Sequence, residues 1–224
     1  MPKMFSGWIR SKLTTLFLVV ASSACAVGVS AGEDSDIQVQ TPHQLVESVT
    51  GELIESISVH RDTFDESPEE FFAVLDNLLK DVIDFDWIAY RVMGSYGKQA
   101  TPEQRDRFAR AFRCELIETY GSGLVAYGEQ SIVVLPPAED INGARKVKVV
   151  QEIRGSDGVF PLVYSMGLNR EGHWKVTNVV INGINLGKTF RNQFVQSAKK
   201  FGGDINQVTQ NWSSSAGSCL REML

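Results

Sequence analysis

Hydrophobic and polar positions along this chain change period near its middle. From Thr41 to Tyr127 apolar residues recur every three or four positions, as on one face of a helix. Leu45, Val49, Leu53 and Ile57 form the first stripe, widened by Val46 and Ile54. Phe71, Phe72, Val74, Leu75, Leu78, Leu79, Val82 and Ile83 form a second that is apolar on more than one side, and so is expected to be sandwiched. A short helix through Trp87, Ile88, Val92 and Met93 is expected to stop at Gly94, since glycine takes a left-handed conformation at little cost. The longest stripe follows, with Phe108, Ala111, Phe112, Leu116, Tyr120, Leu124 and Tyr127, and with Gly121 and Gly123 as a point for a kink. Three of these starts share one grammar: Thr41-Pro42-His43-Gln44, Ser67-Pro68-Glu69-Glu70 and Thr101-Pro102-Glu103-Gln104. Each places a hydroxyl at the N-cap, Pro at the first helical position, and Glu or Gln where it reaches back to the cap amide.

Beyond Ser131 the period is two. Residues 131–135 predict a strand stopped by Pro136-Pro137, and 145–153 alternate Lys146, Val147, Lys148, Val149 as a half-exposed strand does. Gly155-Ser156-Asp157-Gly158 is a turn, 159–168 another strand, Glu171-Gly172-His173 a second turn, and 174–184 the last strand of an antiparallel meander. Phe190 and Phe194 then share one helical face at i, i+4 spacing. Gly202-Gly203 ends that helix, and Asp204 caps a short one carrying Ile205, Val208 and Trp212. Helices first and antiparallel strands second predict an α+β fold, with N-terminal helices packed on one face of a curved sheet and helices again at the C-terminus.

The first residues change where this fold is expected to work. Lys3, Arg10 and Lys12 precede an apolar stretch over 13–20 and then small residues, the order of a secretory signal, with cleavage expected after Ala31. Residues 1–31 are thus expected to be a cleaved signal, 32–212 the α+β domain, and 213–224, with its run of serines, a flexible tail. Cys25 raises a lipid anchor, but Ser22-Ser23-Ala24 lacks the large aliphatic residue that heads such a site. The leader holds three of the 22 basic residues and none of the 27 acidic ones, leaving 19 against 27 and a mature net charge of −8. That balance argues against nucleic acid as a partner. Cys114 and Cys219 would meet an oxidising compartment; they either pair, or remain a buried helical thiol and a tail thiol.

Two blocks carry a resemblance. The first is Phe85-Asp86, Ile88-Ala89, Arg91-Val92-Met93-Gly94 and Tyr96, continuing through Gln104, Phe108, Phe112, Leu116, Tyr120, Leu124 and Tyr127. The second is Tyr164, Trp174-Lys175-Val176, Gly183, Leu186 and Phe190-Arg191-Asn192-Gln193-Phe194. In order and spacing they resemble the MlaC / toluene-tolerance auxiliary family of periplasmic phospholipid carriers. The resemblance implies a wedge of the NTF2-like type that encloses an apolar cavity and needs no cofactor, with phospholipid as cargo. It also implies exchange with an inner-membrane Mla-type ABC transporter complex and an outer-membrane MlaA-like lipoprotein complex, maintaining outer-membrane lipid asymmetry. Asn178, Asn182 and Asn185 depart from the acidic and hydroxyl pattern expected there.

Cavity-lining residues are expected among Phe71, Leu75, Phe112, Leu116, Tyr120, Leu124, Val163, Val176, Phe190 and Phe194, with Tyr127, Tyr164 and Arg191 at the mouth or against a headgroup. A solid core uses the same residue types, so composition alone leaves both readings open. Catalytic motifs are sparse. His43, His60 and His173 have no zinc-site spacing, and no nucleophile elbow or phosphate-cradling glycine loop is present. The rival readings are an α+β enzyme using Asp86 or Tyr120 in an apolar pocket, and a chaperone for lipoproteins. Arg105, Arg107, Arg110 and Arg113 along the long helix read as a solvated face, or as a surface for acidic partners or a headgroup contact.

Overall fold

A computed structural model describes residues 40–125, 128 and 130–213. The expected signal segment, Tyr127, Cys219 and the tail beyond Ser213 lie outside the described residues. Helix α1 (Pro42–His60) passes through a 3-10 turn (Arg61–Thr63) towards α2 (Pro68–Leu79), α3 (Phe85–Met93), a short α4 (Ser95–Gln99) and the long α5 (Pro102–Leu124). Strands β1 (Ser131–Val134), β2 (Lys146–Gly155), β3 (Gly158–Leu168), β4 (Trp174–Ile181) and β5 (Ile184–Asn185) follow, then α6 (Leu186–Lys200) and α7 (Ile205–Ser213). The five strands pair antiparallel in sequence order, as a meander must.

The caps explain the helix boundaries. Thr41 with Gln44, and Thr101 with Gln104, form complete capping boxes, each partner satisfying the other's backbone amide. Ser67 departs from the grammar. It sits at φ −141° and ψ 64° and its side chain makes no cap bond, so α2 starts on Pro68 without that help. Gly94 takes φ +61° where α3 ends, as its sequence position implies. Helix α5 runs to Leu124 without a break; Gly121 serves closeness instead, because a Cβ there would stand 2.8 Å from Leu75 Cδ1 and 3.1 Å from the Phe72 ring.

The last strand differs from its sequence reading. Asn182 (φ 47°) and Gly183 (φ 81°) both take positive φ and turn the chain between β4 and β5, the Asn-Gly hairpin device. Within β4, Ser165 pairs Asn178 while Met166 pairs Val176, so Thr177 is an extra residue in a β-bulge. The bulge shifts the alternation. Val176, Val179 and Ile181 stand opposite Met166, Tyr164 and Leu162 on one face, whereas strict period two would have sent Asn178 and Val180 there. On the edge of β4 the connection before α3 adds a parallel bridge: Val176 N donates to Val82 O (2.8 Å) and Asp84 N to Val176 O (3.1 Å).

Buried side chains form three clusters. One joins α3, α5, α6 and α7 through Phe108, Phe112, Phe190, Phe194 and Trp212. Edge-on ring contacts knit it, Phe108 to Phe194 at 4.8 Å and Phe108 to Trp212 at 5.2 Å between centroids. A second packs Val46 and Val82 on Val147, Val149, Met166 and Val176, and a third gathers Ile57, Phe71, Phe72, Leu75 and Ile117 between α1, α2 and α5.

The two cap geometries can be separated by experiment. Thr101→Ala is expected to lower unfolding free energy by about 1 kcal/mol. Ser67→Ala should fall within about 0.5 kcal/mol of the parent, as surface changes without a lost bond do. Urea unfolding of both variants checks the difference; equal losses would refute it.

Candidate functional site

Between the three clusters the protein leaves space. A hollow of about 430 Å³ is bounded by α2, α3, α5, the start of α6 and the helix-facing side of β3 and β4. Helix α2 contributes Leu75 and Leu79; α3 contributes Phe85 and Ile88; α5 contributes Phe112, Leu116, Ile117, Tyr120 and Leu124. The sheet adds Leu162, Tyr164, Val176, Val179 and Ile181, and α6 adds Leu186 and Phe190. Among the described residues no charged side chain lines it. Leu116, Leu124, Leu162, Val179 and Ile181 stay only half-buried although their neighbours are apolar, which a filled core would not allow. The volume falls within the roughly 300–1,000 Å³ of small-molecule sites.

Of the residues expected to line a cavity, Leu75, Phe112, Leu116, Tyr120, Leu124, Val176 and Phe190 do so. Phe71 does not; it is wholly buried against Phe64 and Phe72 in the third cluster, because its direction on α2 turns it towards α1. Phe194 also lies elsewhere. It fills the first cluster against Phe108 and Tyr96, one turn too far along α6 to reach the hollow. Val163 pairs with Val150 and Val180 on the opposite face of the sheet, the side that alternation assigns to a residue between Leu162 and Tyr164. Arg191, expected at the mouth or against a headgroup, lies beside the hollow in a neighbouring pocket; its guanidinium lies across Gly94, where a Cβ would approach Nε to 3.1 Å. Tyr127 lies outside the described residues.

Tyr164 lines the hollow, but its hydroxyl does not reach for water. It donates to Gln151 Oε1 at 2.7 Å; Gln151 Nε2 donates to Thr50 Oγ1 at 2.7 Å, and the Thr50 hydroxyl donates to Val46 O at 2.7 Å. The direction follows from the last bond, since a hydroxyl that gives its proton to a carbonyl can only accept from the amide. Gln151 is 3% exposed, and this chain satisfies it while tying β3 and β2 to α1. The sequence signal was a polar residue at an inward position of an alternating strand. Burial pushes the Tyr164 phenol up to about 12. Tyr120 is also raised, by burial first and by the charge of Glu115 second.

The arginines of α5 do not act as one surface. Arg113 forms a two-pronged ion pair with Asp76 of α2 and sits 5.4 Å from the centroid of the Phe85 ring. Arg105 reaches Gly97 O at 3.4 Å. Asp86 is exposed on α3 and lies outside the lining of the hollow. Asn178 and Asn185 serve the entry to α6: Asn178 Oδ1 accepts from Gly187 N (3.1 Å) and Asn185 Oδ1 from Lys188 N (3.0 Å). Cys114 is buried and disulfide-bonded, its partner lying outside the described residues. Among the described residues no group of three metal-ligating side chains occurs, and no helix is long and apolar enough to cross a membrane.

Sheet, helical cover and uncharged hollow define an α+β protein built around an apolar pocket. The family model described as MlaC protein matches residues 47–214, and the chain belongs to that family. Toluene tolerance protein ttg2D of Pseudomonas putida is 35% identical over 179 residues, spanning 79% of this chain and 82% of its own. The intermembrane phospholipid transport system binding protein MlaC of Haemophilus influenzae is 25% identical over 151 residues, spanning 65% of this chain and 69% of its own. A solved phospholipid-binding protein from Ralstonia solanacearum, in complex with a phospholipid, shares the fold with a TM-score of 0.70 at 24% identity, over 80% of this chain and 98% of that one.

Two substitutions separate filled core from hollow. Phe194→Ala should cost about 3–5 kcal/mol, and Leu116→Ala, whose side chain borders empty space, about 1–2 kcal/mol by urea unfolding. Similar costs would mean the hollow is filled. The raised phenol of Tyr164 makes the folded state hold its proton more tightly than the unfolded one, whose ordinary value is about 10. Stability is therefore expected to fall as pH rises from about 10 to about 12, and that part of the loss should be missing in Tyr164→Phe. Chemical unfolding across that range, with phenolate absorbance, is the measurement.

Proposed function

We propose that this chain is a periplasmic phospholipid-binding shuttle, working without catalysis by enclosing acyl chains and releasing them at a membrane complex on either side. The observation that carries this reading is the uncharged apolar hollow in a member of the MlaC family. A diacyl lipid exposes about thirty methylenes, and at ~0.8 kcal/mol each a shield against water is worth on the order of 20 kcal/mol. Leucines, valines and aromatic rings facing unfilled space offer such a shield, while a lining whose titratable groups, among the described residues, are the phenols of Tyr120 and Tyr164, both raised by burial, offers little to chemistry. The Haemophilus relative is named for intermembrane phospholipid transport and the Ralstonia structure holds a phospholipid, and both favour the same cargo here.

On this reading residues 1–31 direct export and are removed, 32–212 form the lipid-binding domain, and 213–224 trail as a tail. The complexes served are an inner-membrane Mla-type ABC transporter and an outer-membrane MlaA-like lipoprotein assembly, and the process served is outer-membrane lipid asymmetry. Asp86 is exposed and not in the lining, which leaves the enzyme reading Tyr120 alone, and among the described residues no charged side chain lines the hollow, which favours lipid over polypeptide cargo.

Native mass spectrometry of protein purified from its own periplasm should show co-purifying phospholipid masses. Leu116→Trp with Val179→Trp, which fills the hollow with rings, should cut bound lipid at least about tenfold without lowering the thermal midpoint, because space is available for the added volume. Lipid-free parent protein that also takes none from vesicles would remove the proposal.

A further inference from the structure

Beside the apolar hollow lies a second pocket of about 320 Å³ with different chemistry, between α3, α6 and the bulge of β4. Its cations are Arg91 from α3 and Lys188 and Arg191 from α6, and no carboxylate among the described residues lines it, in a chain whose formal charge is −5. None of the three makes an ion pair among the described residues. Arg91 instead stands over the Trp87 ring at 5.3 Å, and Arg191 spans Gly94. Three like charges brought together without a counter-charge repel one another, so the arrangement is stabilised by whatever anion enters.

The two pockets meet. Ile88, Asn178 and Gly187 line both, and the Asn178 to Gly187 hydrogen bond forms the sill between them. That sill stays low because residue 187 has no side chain: a Cβ there would come within 2.5 Å of Asn178 Oδ1. An amphiphile with hydrocarbon in the hollow can therefore cross at Gly187 and set an anionic group among the cations.

We propose that Arg91, Lys188 and Arg191 form a phosphate subsite for the headgroup of the bound lipid, entered over Gly187. It rests on the phospholipid-carrier reading and adds where the phosphodiester sits. The arginines supply forked N–H donors suited to a phosphate and Lys188 a point charge. Ser165 on the floor provides a hydroxyl beside it, while the Thr177 hydroxyl is committed to Ser165 O at 2.9 Å. The site discriminates against lipids lacking phosphate, and does so less as salt is raised.

The test offers the full mature protein vesicles containing equimolar dioleoyl phosphatidylglycerol and dioleoylglycerol, and quantifies both bound lipids by mass spectrometry after gel filtration. The two share acyl chains and differ in the phosphoglycerol headgroup, which carries the anionic charge. The parent is expected to enrich the phosphatidylglycerol about tenfold, and Arg91→Gln with Lys188→Gln to bring the ratio near one. Dioleoylglycerol uptake by that variant reports on its fold and hollow; Arg191 is spared because it packs on Gly94. A ratio unchanged by the substitutions overturns the subsite while leaving the carrier reading intact. Uptake of neither lipid by the parent overturns both. Inorganic phosphate alone, titrated by ³¹P line broadening, should bind far more weakly than the lipid; saturation at comparable concentration would mark a free-anion site and overturn the proposal.

Discussion

Apolar surface that the protein does not cover with itself is the constraint on which this structure turns. A domain of this size ordinarily packs one contiguous core, yet here three clusters stand apart and a hollow lies where they would merge. Phe112 and Phe190 belong to one cluster, Val176 to another and Leu75 and Ile117 to the third, and all five face the same space. Leaving it empty forfeits dispersion contacts along every wall. Such a loss is tolerable where a ligand restores the contacts, so the energetic defect of the isolated chain and the proposed use of the pocket are one fact.

What prevents collapse is polar and backbone in nature. The Asp76–Arg113 pair fixes α2 to α5, the Val82–Asp84 bridge to Val176 holds the approach to α3 on the sheet, and the Tyr164–Gln151–Thr50 relay ties the strands to α1. The first two join walls of the hollow at a set distance, and the third anchors its sheet wall to α1 behind it. Hydrogen bonds and ion pairs weaken steeply when bent or stretched, so they resist the sliding by which hydrophobic walls would otherwise close. Glycines act in the opposite sense, Gly121 letting α2 and α5 touch at one end and Gly187 keeping the other end low.

Much of this was legible in the chain. The meander, the capping boxes at Thr41 and Thr101, the stop at Gly94 and the cap at Asp204 are local, and each rests on residues within a few positions of one another. Seven of the cavity residues were readable because Leu75, Phe112, Leu116, Tyr120, Leu124, Val176 and Phe190 lie on apolar faces. Phe71, Phe194 and Val163 look the same in sequence. Which way a ring points depends on where the next helix stands, and Val163 takes the far face because Leu162 and Tyr164 on either side of it face the helices, a phase that is set only when the sheet docks. Ser67 likewise carries the letters of a cap without its geometry.

The order of letters thus determined the elements, their boundaries and the identity of the family, because propensity, capping and period act over a few residues and survive in any context. The hollow, the relay through Gln151 and the gathering of Arg91 with Lys188 and Arg191 were decided only in three dimensions. Those groups lie far apart in sequence, Gln151 being 101 residues from Thr50, and meet only when the sheet and its helices dock. A packed core and a cavity draw on the same leucines and phenylalanines; the difference lies in where the walls stand, which is a property of docked elements and not of composition.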